Sequence, residues 1–308
     1  MNLWQAHQIT PETRVVLEGE TVPELFWNAV RERDEQVWLR QKELGIWQSQ
    51  SWQEVGQAVR ELACGLLQLG LQRGEVVSIL ANTRREWVMA DLAVLSGAAV
   101  CNGIYPTDAP AQVHYLCEDS GTVMLFVEDD EQLDKALEVR DQLPRLRQII
   151  VFDDEGLRGL HDPMVISLSQ LREIGRSHLA QQEPVMAQRI ADLQPDDLAI
   201  LVYTSGTTGK PKGAMHSHRA LVHTVRGYNT LVARSTDDEC MCFLPLCHIA
   251  ERVGGEYFSL YTGNKLNFVE NPETVPENVR EIAPTVFTAV PRVWEKFYSG
   301  VMIALKES

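Results

Sequence analysis

Apolar and polar positions along the chain alternate between a helical period and short runs of strand length. Residues 55–67 place apolar side chains at helical spacing, and Gly70 follows as a natural helix stop. Residues 75–80 then read as a buried strand, after which Asn82 or Thr83 is placed to cap another helix. This alternation predicts an α/β fold with a mainly parallel sheet flanked by helices.

The same pattern continues along the rest of the chain. Further strands are predicted at 123–127, 149–152, 197–203, 241–244, 266–269 and 285–288. Further helices are predicted at 111–118, 130–143, 218–232, 249–261, 272–282 and 292–306. Residues 153–195 are more polar and are expected to connect two α/β halves. We therefore predict a first subdomain with its connecting segment over 1–185 and the start of a second over 186–308.

The net charge of the chain limits the classes of molecule that it can bind. The formal net charge is −15, from 43 acidic and 28 basic residues. Such a surface repels nucleic-acid backbones and anionic membranes unless a basic patch intervenes. The longest basic clusters are only the pairs Arg84-Arg85 and Lys210 with Lys212. Nucleic-acid binding is therefore not expected.

The cysteines and the first residues indicate the compartment. One residue separates Cys240 from Cys242, a spacing that fits neither a zinc site nor a redox pair, so buried free thiols are expected. The chain does not begin with basic residues followed by an apolar stretch, and no run approaches the ~20 apolar residues of a membrane span. We expect a cytoplasmic protein, at most peripheral to a membrane.

The most informative segment, residues 203–213, reads Tyr-Thr-Ser-Gly-Thr-Thr-Gly-Lys-Pro-Lys-Gly. Its glycines let backbone N–H groups approach an anion, and its hydroxyls and lysines can bind phosphate oxygens or help to hold Mg²⁺. It follows a predicted strand and precedes a helix that opens near Ser217, a common setting for phosphate recognition. The P-loop of nucleoside triphosphatases is excluded because Pro211 follows Lys210 where that motif needs Ser or Thr.

In its order of residues this segment resembles the phosphate-binding signature of the adenylate-forming enzymes. The resemblance implies the large amino-terminal domain of that family, and ATP with Mg²⁺ as its ligands. Thr204 would be the Mg²⁺ ligand. The residues implied to bind the ATP phosphates are Thr204, Ser205, Gly206, Thr207, Thr208, Gly209, Lys210 and Lys212.

A second segment narrows the implied substrate. Residues 243–252 read Phe-Leu-Pro-Leu-Cys-His-Ile-Ala-Glu-Arg and are most similar to the long-chain fatty acyl-CoA synthetases. The resemblance implies that His248 lies near the carboxylate and the adenylate, and Glu251 is assigned to the same acyl site. Glu251 and Arg252 each fit equally well as a lining residue of the site or as part of a structural ion pair with another charge. Arg252 argues against the aromatic gate found in some relatives.

Two further segments resemble the same group. Residues 288–297 match the long-chain synthetases, although Val293, Trp294 and Phe297 have the spacing of a helix core. Residues 97–107 resemble an early strand and turn of the family. The resemblance implies acid–thiol ligation, in which a fatty acid is activated to acyl-AMP and passed to CoA.

The implied enzyme is longer than this chain. Residues 292–306 read as a helix without a stop signal, which suggests truncation, and the carboxy-terminal domain of the family is absent. No catalytic residue is assignable within 1–308, and this fragment alone is expected to be inactive.

Two alternatives stay open: an acyl-AMP ligase that delivers to a carrier protein, and a non-catalytic remnant that binds ATP, acyl chains or another subunit. Oligomeric state and acyl-chain length are open, and long-chain substrates make transient membrane contact sensible.

Overall fold

The computed structural model describes residues 16–157, 159–204, 209–232 and 234–307, and within them the strands form two sheets. The strands are β1 (Val37–Glu43), β2 (Ile46–Ser51), β3 (Val76–Leu80), β4 (Val100–Ile104), β5 (Thr122–Val127), β6 (Gln148–Val151), β7 (Val165–Ser167), β8 (Leu198–Thr204), β9 (Lys212–Ser217), β10 (Glu239–Cys242) and β11 (Lys265–Phe268).

The helices cover most of the sequence between the strands. They are α1 (Val22–Arg33), α2 (Trp52–Gln68), α3 (Arg85–Ser96), α4 (Pro110–Ser120), α5 (Asp130–Val139), α6 (Leu168–Ser177), α7 (Leu179–Ala191), α8 (His218–Leu231), α9 (Ile249–Glu251), α10 (Phe258–Thr262), α11 (Val275–Ile282) and α12 (Pro291–Glu307). A π-helical turn, Arg252–Tyr257, joins α9 to α10, and short 3₁₀ turns cover Arg140–Gln142 and Pro272–Thr274.

The larger sheet has seven strands in the order β7-β6-β5-β3-β4-β8-β9. Its neighbouring strands run parallel except for β9, which pairs antiparallel with β8. Every residue of β4 and β5 is buried, as expected for parallel strands covered by helices on both faces. The mainly parallel α/β fold predicted from the alternation of elements is confirmed.

The smaller sheet has the order β10-β11-β1-β2 and joins distant parts of the chain. Leu39 of β1 pairs with Leu266 of β11 in parallel register. The β1–β2 hairpin turns through Leu44 and Gly45, both with positive φ, as a tight hairpin turn requires. The sequence pattern did not predict this hairpin, because its strands do not alternate clearly between apolar and polar side chains.

One hydrophobic core lies between the two sheets. Every residue of α3 from Glu86 to Ser96 is buried, and α3 contacts β3 and β4 of the larger sheet and β1 of the smaller one. Trp38 of β1 stacks on Trp52 of α2 with ring centroids 3.9 Å apart. A second apolar cluster fills the opposite face of the larger sheet, under α4 and α5. The packing around α3 therefore holds the two sheets in a fixed relation.

Three sequence expectations need correction. Residues 153–195 are more than a connection, since they include β7, α6 and α7; the apolar stripe of α6 is narrow, with Leu168, Leu171 and Gly175 buried. The strand predicted at 285–288 is wrong, because only Val286 makes an isolated bridge, and prolines at 284 and 291 flank the segment. The helix predicted at 249–261 is interrupted by the π-helical turn.

The predicted boundary between the subdomains, at residues 185 and 186, separates strands that belong to the same sheet. Strands β8 and β9 follow residue 186, yet they extend the sheet formed by β3–β7. The division into 1–185 and 186–308 stays a prediction. Among the described helices, none has the length and apolar character needed to cross a membrane.

Candidate active site

The predicted phosphate loop lies at the tip of the β8–β9 hairpin. Tyr203 pairs with Gly213 and Thr204 with Lys212, so the two strands bring both ends of the loop together. Gly209 has a φ of 110°, a conformation that a residue with a β-carbon rarely adopts. Ser205, Gly206, Thr207 and Thr208 lie outside the described residues. Thr204, Gly209, Lys210 and Lys212 are exposed around the tip.

A strand, not a helix, follows this loop. The helix expected near Ser217 does begin there, with the Ser217 side chain accepting from the N–H of Ala220. The six residues of β9 intervene, however, and they span about 20 Å at the usual rise per residue. The dipole of α8 is therefore too distant to bind phosphate at the loop. Positive charge there comes from Lys210 and Lys212.

Helix α4 supports the hairpin from one side. The hydroxyl of Tyr115 donates to the carbonyl of Pro211 at 2.9 Å, and the Lys210 ammonium lies 4.5 Å from the Tyr115 ring centroid. The Tyr203 hydroxyl donates to Asp119 at 2.6 Å. Burial, followed by the hydrogen bond to Asp119, raises the pKa of Tyr203, so the phenol stays protonated. Tyr115 and Asp119 were not predicted as site residues, because the helical pattern of the sequence alone does not indicate their partners.

The second predicted segment forms a tight turn between β10 and α9. The Thr83 hydroxyl donates to the carbonyl of Leu244 at 2.6 Å and accepts the N–H of Leu246 at 3.1 Å. Thr83 therefore holds the turn by both its donor and its acceptor. The sequence suggested Asn82 or Thr83 only as a helix cap, whereas Arg84 is the N-cap residue of α3 and makes no capping side-chain hydrogen bond.

His248 is exposed at the start of α9. Its Nδ1 accepts the backbone N–H of Ala250 at 3.1 Å, so the neutral ring carries its proton on Nε2. The turn thus fixes the tautomer and leaves an N–H donor on the outer side of the ring. This arrangement can orient a carboxylate or another anion.

The two segments meet at one edge of the larger sheet. Gly103 of β4 pairs with Val202 of β8, two residues before Thr204. Where a side chain would project from the sheet, Gly103 packs against Cys247, the neighbour of His248. A β-carbon on Gly103 would lie 2.7 Å from the Cys247 Cα. The phosphate hairpin and the His248 turn therefore lie beside the same strand, β4. The carboxyl edge of a parallel sheet is where α/β proteins usually bind ligands.

Comparison with known proteins identifies the family of this chain. A family model described as AMP-binding enzyme matches residues 25–307. The chain belongs to the AMP-binding enzyme family.

Its relatives in this family are considerably longer. The chain is 32% identical over 284 residues to the long-chain-fatty-acid–CoA ligase ACSBG2 of Xenopus laevis, covering 90% of this chain and 38% of that protein. It is 32% identical over 274 residues to the long-chain-fatty-acid–CoA ligase FadD15 of Mycobacterium bovis, covering 87% and 43%. The chain thus spans about two fifths of the length of these curated relatives.

A solved structure of the anthranilate CoA ligase AuaEII, in complex with anthranoyl-AMP, shares the fold. The TM-score is 0.74 at 22% identity, and the match covers 87% of this chain and 49% of that one. The likeness shows that the two chains share a fold. The fold class and the family expected from the resemblance are confirmed.

Within this AMP-binding domain, Glu251 lies behind the His248 turn and not on its surface. Burial raises the pKa of Glu251 to about 7, while the Cys242 thiol and the Leu244 N–H, which approach the carboxyl, oppose that rise. A β-carbon on Gly255 would lie 2.5 Å from Glu251 Oε1, so a larger residue there would displace the Glu251 carboxyl. The assignment of Glu251 to the acyl site stays a prediction.

Arg252 is a buried structural residue. Its side chain is fully inaccessible and forms an ion pair with Asp91 of α3. Of the two possibilities left open for Arg252, the ion pair with another charge is the one that the structure contains, and its partner is Asp91. A single carboxylate in the otherwise apolar stretch 87–95 was the available signal for Asp91, because a buried charge needs a partner.

A cleft of about 790 Å³ opens beside the His248 turn, at the carboxyl ends of strands from both sheets. Its walls include Thr83, Tyr105, Pro245 and Phe243, with charged groups such as Arg84 and Glu128 further along. The part of the chain that the structure describes has no cluster of three or more acidic, His or Cys side chains able to hold a metal ion. Thr204, exposed at the hairpin, fits a single hydroxyl ligand to an ion that arrives with phosphate.

Proposed function

We propose that the protein containing this chain activates a long-chain fatty acid with ATP to an acyl-adenylate and then forms acyl-CoA. The observation that carries the proposal is the position of Gly103, which packs against the His248 turn and pairs with the strand that leads into the phosphate hairpin. The names of the relatives ACSBG2 and FadD15, both long-chain-fatty-acid–CoA ligases, support the choice of substrate.

The hairpin supplies the phosphate site in this proposal. Backbone N–H groups from Thr204 to Gly209 and the ammonium groups of Lys210 and Lys212 stabilise charge that develops on the leaving pyrophosphate. Mg²⁺ neutralises part of the phosphate charge when it is bound, and Thr204 is the residue of this chain that would ligate it. Most of its other ligands would be phosphate oxygens and water.

His248 orients the acid. Its Nε2–H donates to the fatty-acid carboxylate, and its Nδ1 is already held by the Ala250 N–H. A carboxylic acid is ionised at neutral pH, so its attack on the α-phosphorus needs no general base. This agrees with the expectation that no catalytic residue is assignable in 1–308: the described residues bind and orient.

Two versions of the proposal differ in the molecule that accepts the acyl group. CoA is favoured because the two relatives are CoA ligases. A carrier protein is the competing acceptor, and a non-catalytic remnant is the competing outcome. A transient contact with a membrane, from which a long-chain acid is taken, is part of the proposal.

Fatty-acid-dependent exchange of labelled pyrophosphate into ATP tests acyl-adenylate formation. The protein as encoded by its complete gene should catalyse exchange with palmitate and form palmitoyl-CoA when CoA is added; residues 1–308 alone should do neither. Lys212→Gln should lower exchange at least about tenfold if a transition-state contact is lost. Lys296→Gln, an equal change of charge at an exposed site on α12, should not.

Each other outcome has a defined meaning. Exchange without acyl-CoA formation, together with acyl transfer to a carrier protein, would support the carrier version. No exchange from the complete protein would reject the enzyme and leave the non-catalytic remnant. Full activity of residues 1–308 would reject the expectation that both sides of the nucleotide site are needed.

A further inference from the structure

A buried polar cluster lies directly behind the His248 turn, and the function proposed above gives it no role. Asp91 and Arg252 form an ion pair in which both side chains are 0% exposed. The Tyr257 hydroxyl donates to the second oxygen of Asp91 at 2.6 Å, and Arg252 Nε donates to the Tyr257 hydroxyl at 3.1 Å. The Arg252 guanidinium also lies 4.8 Å from the centroid of the Trp87 ring. Asp91 therefore accepts from two residues of the segment that follows His248.

The cluster is close to electrically neutral although it contains a second acid. Glu256 is fully buried, and neither of its carboxyl oxygens has a hydrogen-bond partner among the described residues. Burial first, and then the charge of Asp91, raise the pKa of Glu256 well above its usual range, which favours its neutral form. One negative charge on Asp91 and one positive charge on Arg252 remain. A balanced pair of this kind can be buried without an uncompensated charge.

The π-helical turn makes this arrangement possible. Arg252 and Tyr257 are five residues apart, and in an α-helix of 3.6 residues per turn their side chains would point about 140° apart. Hydrogen bonds between residues five apart bring them to one face, where both reach Asp91. Gly255 leaves room beside this turn for the Glu251 carboxyl, because a β-carbon there would lie 2.5 Å from Glu251 Oε1.

The turn is connected to His248 through the backbone. The N–H of Arg252 donates to the carbonyl of His248 at 3.1 Å, and this bond closes the first turn of the helix. The same turn places the Ala250 N–H against His248 Nδ1. A shift of Arg252 would therefore move both backbone groups that determine where the imidazole lies and which nitrogen carries its proton.

We propose that Asp91 is a positioning residue for His248, and that it acts through Arg252 and the π-helical turn. The proposal rests on the proposed function in one respect, that His248 contacts the fatty-acid carboxylate. A buried ion pair is weak evidence for stability, since apolar side chains of similar volume often serve as well. What apolar side chains would lack is a directional contact that selects the π turn over a regular α-helix.

Nuclear magnetic resonance of the His248 ring tests the positioning without any assay of activity. The signal is assigned with His248→Gln in the 308-residue chain, which contains eight histidines. In the unmodified chain the imidazole nitrogens should show the Nε2–H tautomer. Asp91→Asn should shift the ring towards a mixture of tautomers. Tyr257→Phe should do the same to a smaller extent, and it leaves no charge unpaired if Asp91→Asn does not fold.

The control separates positioning from general stability. Glu61 on α2 is also a buried carboxylate, paired with Arg172 and Arg176 on α6, so Glu61→Gln disturbs a comparable contact at another helix pair. It should lower stability without changing the His248 signal. In the complete protein, Asp91→Asn should reduce kcat for adenylation about 10- to 100-fold, the size of effect expected from a misplacement of about 1 Å. The KM for ATP should change much less.

Unchanged His248 signals in both Asp91→Asn and Tyr257→Phe would overturn the proposal, and so would an equal disturbance by Glu61→Gln. If the complete unmodified protein catalyses no exchange, the proposed function fails. The resonance measurement still decides whether Asp91 positions the ring.

Discussion

Gly103 and Cys247 are in contact at their backbones: a β-carbon on Gly103 would lie 2.7 Å from Cys247 Cα and 2.8 Å from its Cβ. Real β-carbons are not found at such distances, so only glycine allows the two segments to approach in this way. Gly103 belongs to the seven-stranded sheet, and Cys247 follows the last residue of β10 in the four-stranded sheet by five positions. The contact therefore sets the spacing between the phosphate hairpin and the His248 turn.

Gly103→Ala should push these segments apart. Inserting a methyl group into a closely packed contact typically costs about 1–3 kcal/mol of folding free energy. Because the displaced atoms adjoin His248, adenylation by the complete protein should fall further than the loss of folded protein explains. Urea denaturation and pyrophosphate exchange measure the two effects.

Gly227→Ala is the matched control for Gly103→Ala. Gly227 lies in α8, where a β-carbon would meet nothing within 4 Å. Alanine favours a helix over glycine by about 1 kcal/mol, so this variant should be as stable as the natural chain or slightly more stable. Equal stability and activity of Gly103→Ala and the natural chain would contradict the role of the contact.

How much the sequence could predict depends on the range of the interactions. The helices around Leu62 and Leu92 were predictable because a local apolar period defines them. The pairing of Leu39 with Leu266 was not, since 227 residues separate the two strands and nothing local specifies their register. The phosphate hairpin was recognisable from its residue order. That β9 would follow it as a strand was missed, because its residues, Lys-Gly-Ala-Met-His-Ser, do not alternate clearly between apolar and polar.

The candidate site was predictable only in part, for the same reason. His248 was found through the order of its neighbours. Thr83 and Asp91 were not assigned to the site, because their partners lie more than 150 residues further along the chain. Such partners become visible only when α3 is packed between the two sheets. The partner of Arg252 likewise depended on tertiary structure, because Asp91 lies on α3, 161 residues earlier in the chain.

Arg252→Met tests the buried ion pair as a source of stability. The substitution leaves the Asp91 carboxylate buried with the Tyr257 hydroxyl and without its counter-charge, and such a break costs about 3–5 kcal/mol. Denaturant titration measures the loss. Arg219→Met is the control, because Arg219 and its partner Asp196 are both exposed and their ion pair is screened by water. No change in stability is expected there.

The double variant Asp91→Leu, Arg252→Met separates stability from positioning. Removing both charges leaves neither ion unpaired, so much of the lost stability should return. Activity of the complete protein should not return with it, because the contact that selects the π-helical turn is still missing. Recovery of both would show that the pair serves stability alone.

Tyr115→Phe should weaken the binding of ATP by the complete protein. The variant loses the hydrogen bond to the Pro211 carbonyl but keeps a ring next to Lys210. A neutral hydrogen bond contributes about 0.5–1.5 kcal/mol, which corresponds to an increase of about 2- to 10-fold in the Kd for ATP. Calorimetric titration with Mg²⁺ and ATP measures it.

Tyr298→Phe provides the reference for Tyr115→Phe. Tyr298 is on α12 and its side chain is 68% exposed, so removal of its hydroxyl should leave ATP affinity unchanged. If both variants bind ATP as the natural protein does, α4 does not support the phosphate hairpin in the way proposed.

Glu251→Gln should alter the dependence of stability on pH. Burial raises the pKa of Glu251 from 4.5 to about 7 in the folded chain, so between these values the folded state binds more protons than the unfolded state. The contribution of Glu251 is then fully present below pH 4.5 and is lost as the pH rises through 7. It amounts to about 3 kcal/mol at 1.36 kcal/mol per pH unit of difference. Gln resembles the protonated acid and cannot ionise, so the variant should lack this decline.

The free energy of unfolding, measured by urea titration from pH 5 to pH 8, gives the comparison. The difference between Glu251→Gln and the natural chain should grow with pH in favour of the variant and level off above pH 7. Glu281 supplies a control, because hydrogen bonds from Lys42 and Trp47 lower its pKa below the usual 4.5, outside the measured range. Glu281→Gln should therefore differ in stability from the natural chain by the same amount at every pH from 5 to 8. A constant difference between Glu251→Gln and the natural chain at every pH would show that Glu251 is ionised in the folded protein.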